Sequence, residues 1–195
     1  MSKTRKTTGA RVKTARPRTK TAVQAAARKA STPRSAKAIR SKSGKAIPIF
    51  TIGYEKALPG AVIGELKRAK VELLVDVRAV AASRRPGFSK RQLAAELDEA
   101  GIAYLHLQPL GTPADGRTAA RAGKTETLFR IYEEHLAGKP AQTALDDLLD
   151  LLRSGTSVAL LCYCRNPHTC HRSRIIAEVQ ARLPVAVEHL IPPLF

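Results

Sequence analysis

Residues 48–195 predict an α/β fold, a mostly parallel sheet with helices on both faces, and two observations carry that prediction. Short apolar runs alternate with segments whose apolar residues recur at helical spacing. Parallel strands cannot be joined by tight turns, and those helical segments supply the crossovers they need. A third observation bears on function: the polar and glycine-rich stretches fall after the strands, where such sheets bind ligands.

The elements follow in order. Residues 47–52 read as a strand, with Pro48 tolerable at its start, and Gly53-Tyr54-Glu55 as the turn behind it. Pro59 begins a helix whose apolar face is Val62, Ile63, Leu66 and Ala69. Residues 73–77 form a near-continuous apolar strand of the kind buried on both sides, which makes Asp76 conspicuous. The spacing Ser89-Lys90-Arg91-Gln92 predicts a capping box ahead of Leu93 and Leu97, and Gly101 closes that helix. Residues 102–107 give a third strand and 109–116 a loop. Leu128, Phe129, Tyr132 and Leu136 mark a helix, and Leu145, Leu148, Leu149 and Leu152 mark another. Residues 157–162 make a strand, Ile175, Ile176, Val179 and Leu183 a helix opened by Cys170-His171-Arg172, and 185–190 a last short strand.

The first 47 residues require a separate explanation. They hold fifteen Lys or Arg and no acid, so the formal net charge of +18 leaves only +3 on the remainder. Rich in Lys, Arg, Thr, Ala and Ser, this tail lacks the apolar residues that offset chain entropy, and disorder is expected. Its charge predicts salt-sensitive, sequence-independent attachment to DNA or RNA, with residues 19–29 turning helical on binding. A cleaved organelle-targeting segment and a plain solubilising extension are the competing readings. No apolar run approaches a secretory core or a membrane span, so a soluble, cytoplasmic protein with no membrane partner is expected, nucleoid-associated if the tail binds DNA. Three cysteines within nine positions do not resemble a disulfide framework and suit a reducing compartment.

The segment 161–172 gathers all three cysteines, two of five histidines and two arginines between a strand and a helix. A helix N-terminus favours an anion, and His171 and Arg172 add charge to it. Arg172 is read in the first turn, off the apolar face, where it joins Arg78 and Arg84 as an anion clamp; for Arg84, which neighbours Arg85, the plain reading is solvated charge. Cys162, at the end of an apolar strand, is either an inert buried thiol or a nucleophile activated by the helix end and Arg172. His171 is a proton carrier or a helix cap, and His106 at the third strand's end has the same two readings. Asp76 and Arg78 lie two apart in a strand and so point the same way, sharing a site or forming an ion pair that fixes the loop. Tyr54 could stack on a base and Glu55 act as base or bind a ribose hydroxyl. Cys164, Cys170 and His171, with Cys162 or His168, offer soft ligands, but their spacing matches no common zinc knuckle, so no metal ligand is assigned. A Cys164–Cys170 redox pair stands beside that reading, and no cofactor is identifiable.

Taken together, Thr51-Ile52-Gly53-Tyr54, Leu74-Val75-Asp76-Val77-Arg78, Ser83-Arg84 with Pro86-Gly87-Phe88, Gly101-Ile102-Ala103-Tyr104, Leu110-Gly111 and Cys170-His171-Arg172 make residues 48 to about 190 resemble the bacterial and archaeal family called domain of unknown function 488. The resemblance implies a Rossmann-like domain and brings no settled activity. Two positions depart from the family pattern: Cys164 stands where an acid is usual, and Tyr54 where His is frequent. The reading these features support is an enzyme of nucleotide or nucleic-acid metabolism that binds a phosphate-bearing substrate. Asp76, Cys162 and His171 are its candidate catalytic groups, and Tyr54, Glu55, Arg78, Arg84 and Arg172 its substrate-binding groups. N-glycosidic cleavage or glycosyl transfer suits an Asp76-centred site and thiol transfer a Cys162-centred one. The alternatives are a non-enzymatic nucleic-acid-binding protein and a thiol or zinc protein.

Overall fold

The computed structural model describes residues 46–194. The basic tail, with the disorder, nucleic-acid binding and induced helix expected of it, lies outside them except for its last two residues.

Five strands form one all-parallel sheet in the order β3-β2-β4-β1-β5: β1 (Ile47–Gly53), β2 (Leu73–Asp76), β3 (Ala103–His106), β4 (Val158–Cys162) and β5 (Val185–Leu190). The helices α1 (Pro59–Arg68), α2 (Lys90–Glu99), α3 (Ala114–Arg121), α4 (Thr125–Leu136), α5 (Lys139–Arg153) and α6 (Arg172–Gln180) are the crossovers. The fold is the Rossmann-like α/β arrangement expected, and no helix of the described residues is long and apolar enough to cross a membrane.

The alternation of side chains along each strand builds two cores. Val158 and Leu160 of β4 and Leu73 and Val75 of β2 pack with Tyr132, Leu145, Leu148, Leu152, Ile175 and Val179 from α4, α5 and α6. Ala159 and Leu161 of β4 and Leu74 of β2 pack on the opposite face with Val62 and Leu66 of α1 and Leu93 and Leu97 of α2. One residue further along, β2 ends in Asp76 on the α1–α2 face, whereas β4 ends in Cys162 on the α4–α6 face.

Three local expectations are corrected. Ser89 does sit at the N-cap of α2, but its hydroxyl makes no capping bond; it donates instead to the Ser83 carbonyl at 3.1 Å and accepts from the Ser83 N–H at 3.3 Å, tying the loop after β2 to the helix. Residues 109–116 are not simply a loop: a 3-10 turn (Gln108–Leu110) leads into α3, whose only buried residues are Gly116 and Ala119 and which therefore shows no apolar periodicity. Arg172 lies on the buried face of α6 rather than off it, at 1% exposure.

Two glycines let loops close over the strand ends. A Cβ on Gly53 would stand 1.9 Å from the Cys164 carbonyl oxygen, and one on Gly111 would stand 2.0 Å from the Ala79 nitrogen. Only a residue without a side chain admits backbone that near. The loop after β4 is thereby seated on β1, and the loop after β3 on the one after β2.

Candidate functional site

The four polar segments that follow β1, β2, β3 and β4 meet at the carboxyl ends of the strands, around a cavity of about 630 Å³. Tyr54, residues 78–80 and 82–85, Thr112, residues 162–164, Cys170 and His171 contribute to its wall. So do Arg117 and Arg121 of α3, one helical turn apart. Five arginines line the cavity, namely Arg78, Arg84, Arg85, Arg117 and Arg121, and no Asp or Glu of the described residues does.

On the α1–α2 side, Asp76 is fully buried. Its Oδ1 accepts from the Arg78 backbone N–H at 3.0 Å and from Arg78 Nε at 2.8 Å. Its Oδ2 accepts from Arg78 Nη2 at 2.6 Å and from the Tyr104 hydroxyl at 2.6 Å. Arg78 spends its remaining nitrogen on the Tyr54 hydroxyl at 2.8 Å and the Phe88 carbonyl at 3.0 Å. Burial disfavours the guanidinium, but its bonds to Asp76 outweigh that and raise its pKa. Burial and the Asp76 carboxylate likewise keep the Tyr104 phenol protonated. Tyr54 stacks on Phe88 at 4.2 Å, so one face of its ring is already covered. Asp76 itself does not reach the cavity.

On the α4–α6 side, Cys162, Cys170 and His171 are buried together, their ligand atoms all within 4.8 Å of one another. His171 Nε2 donates to the Val77 carbonyl at 2.9 Å, because a carbonyl can only accept. In the neutral ring, Nδ1 is therefore the bare nitrogen, and it faces Cys162 Sγ at 3.6 Å and Cys170 Sγ at 3.7 Å. Tyr132 packs its ring edge-on against the imidazole at 5.0 Å. Burial works against a charge on His171, yet the two sulfurs prevail and raise its pKa well above the usual value. Burial also pushes the Cys170 thiol up, but hydrogen bonds from Cys162 and Cys164 and the adjacent His171 hold it well below the ordinary thiol range. The Cys164 thiol is raised by its bonds to the same two sulfurs.

The structure distributes the expected residues unevenly. Arg78, Cys162, His171, Tyr54 and Arg84 line the cavity. Arg172 does not: its guanidinium donates from Nε to Cys170 Sγ at 3.3 Å and from Nη2 to the Cys164 carbonyl, turned inward beneath the thiols. Glu55 accepts from the Arg165 N–H at 3.3 Å and lies off the cavity, and His106 bonds the Arg78 carbonyl at 2.8 Å, pinning that loop. Of the three clamp arginines, Arg84 alone has an exposed guanidinium with no bond among the described residues. Sequence reasoning missed Arg117 and Arg121 because α3 went unread, although their spacing of four was visible. It also missed Tyr163, 46% exposed at the mouth and edge-on to Tyr54 at 5.4 Å.

A parallel α/β domain with an arginine-lined cavity and a buried cysteine–histidine cluster at its strand ends is the class that fold and site define. The chain belongs to the family described as Domain of unknown function DUF488, whose model matches residues 59–179. No curated protein and no solved structure matches it.

Proposed function

We propose that the folded domain is an enzyme acting on a phosphate-bearing substrate, a nucleotide or a nucleic-acid end, held in the arginine-lined cavity. The observation that carries this reading is a cavity of about 630 Å³ with five arginines, no carboxylate of the described residues, and Cys162, Cys170 and His171 in its wall. That volume falls in the range of small-ligand sites, roughly 300–1,000 Å³. Arg84, Arg117 and Arg121 meet no carboxylate among the described residues, so a ligand bringing negative charge matches them best, and forked donors fit phosphate oxygens.

The chemistry belongs to the sulfur–imidazole cluster. Asp76 is sealed from the cavity and saturated by Arg78 and Tyr104, which leaves no lone pair directed at a substrate. Glycosidic chemistry built on Asp76 is therefore the weaker alternative. The basic tail adds a tether: with fifteen positive side chains and no acid, it favours nucleic acid near the domain.

The test is an activity screen over nucleotides and short oligonucleotides with Cys162→Ala and Asp76→Asn. Loss of turnover in folded Cys162→Ala, with a measurable rate kept by Asp76→Asn, is expected; the reverse order overturns the sulfur-centred reading. For the tether, removing residues 1–46 should abolish most duplex binding and its salt dependence. Unchanged affinity and salt slope in the truncated chain would place the contact elsewhere.

A further inference from the structure

We propose that Cys162, Cys170 and His171 bind a zinc ion whose fourth coordination position opens into the arginine-lined cavity, an inference that rests on the cavity being the substrate site. The donor set is two soft sulfurs and one imidazole nitrogen, which suits zinc and not the oxygen-seeking magnesium or calcium. Zinc–nitrogen and zinc–sulfur bonds of roughly 2.0–2.1 and 2.3 Å at a tetrahedral angle separate N from S by about 3.6 Å. The observed Nδ1–Sγ separations are 3.6 and 3.7 Å. Both sulfurs thus stand at tetrahedral spacing from Nδ1, and within 4.8 Å of each other.

The surroundings are those of an oriented metal ligand set. The Nε2–H bond to the Val77 carbonyl fixes the ring and leaves Nδ1 bare toward the sulfurs, the second-layer arrangement that holds a ligating histidine. Arg172, itself buried, donates to Cys170 Sγ and meets no carboxylate among the described residues, so its charge is matched by sulfur. Three ligands are supplied by the protein. Cys164, half-buried, does not lie within 4.8 Å of all three donors and stays outside the set, and the open corner is on the cavity side because all three donors line the cavity wall. Three protein ligands with one open position is the pattern of a zinc ion that polarises a substrate oxygen or lowers the pKa of a bound water. There the arginines would deliver the phosphate. The sequence spacing disfavours a zinc knuckle because knuckles draw ligands in close pairs; here a strand end and the start of a helix bring them together.

Full-length protein purified under reductant without chelator should carry close to one zinc per chain by elemental analysis. Chelator-stripped protein refilled with cobalt(II) should show the visible bands of tetrahedral cobalt and thiolate charge transfer in the near ultraviolet. Cys170→Ser and His171→Ala should retain at least tenfold less zinc, whereas Cys164→Ser should keep it. Because a substitution at a buried ligand can unfold the domain, the cobalt spectrum of the wild type decides independently of the variants. Reduced, folded wild type with less than a tenth of an equivalent of zinc and no cobalt bands overturns the proposal, as does another metal in zinc's place or loss of zinc from folded Cys164→Ser. None of these readouts uses a substrate, so failure of the metal site and failure of the phosphate reading are told apart.

Discussion

The Asp76–Arg78 cluster and the Cys162–Cys170–His171 cluster sit at the same rim on opposite faces of the sheet, and both are buried. They differ in what is left over. Around Asp76 each carboxylate oxygen accepts at least two hydrogen bonds and Arg78 reaches Tyr54 and Phe88 as well, so every polar atom of the pair ends on protein. Around His171 only Nε2 has a backbone partner; Nδ1 and the sulfurs face one another at 3.6 and 3.7 Å and line the cavity. A saturated buried ion pair fixes architecture, whereas donors held together with capacity in reserve can engage something that enters. The lesson is that the more conspicuous charge in the sequence, an acid ending an apolar strand, is the less reactive of the two.

The largest effect should come from breaking the saturated cluster. Arg78→Ala leaves the Asp76 charge buried with only Tyr104 and the backbone N–H of residue 78 to serve it, and should cost about 3–5 kcal/mol of stability, measured by denaturant unfolding. A loss under about 1 kcal/mol would show that the pair is not what holds the rim. Cys162→Ala sharpens the contrast. With both proteins stripped of metal, truncating one sulfur should cost roughly 1 kcal/mol in the same assay, and the substitution should remove turnover on any phosphate-bearing substrate. Equal stability losses in the two variants would erase the distinction between the clusters. The smallest change is Tyr104→Phe, which takes one of several donors from Asp76 and should cost about 0.5–1.5 kcal/mol with catalysis intact. Turnover lost with the fold preserved would return Asp76 to the chemistry.

Much of this division was legible in the chain. The apolar runs and helical spacings give all five strands and five of the six helices, because burial imposes periodicity wherever an element covers the sheet. α3 escapes because it buries only Gly116 and Ala119, and with it went Arg117 and Arg121. The spacing of two between Asp76 and Arg78 signals their pairing. That the pair is sealed depends on Tyr54, Phe88 and Tyr104, which arrive from 24, 10 and 28 positions away and leave no local trace. Arg172 is a different case. It precedes Ile175, Ile176 and Val179 by three, four and seven residues, the spacing of one helix face, so its burial was written in the periodicity and obscured by its charge.

The central claim is that the arginine-lined cavity takes a phosphate-bearing ligand, and calorimetric titration of nucleoside diphosphates and pyrophosphate into full-length wild type and an Arg84→Ala, Arg117→Ala, Arg121→Ala triple variant tests it most directly. The tail is identical in both proteins, so only the cavity differs. Each lost charge-assisted contact should cost on the order of 1.5–3 kcal/mol. An affinity at least tenfold weaker, with unfolding of the variant within about 1 kcal/mol of wild type, is the expected result. Equal affinity of the two folded proteins for every anion bound by the wild type would contradict it.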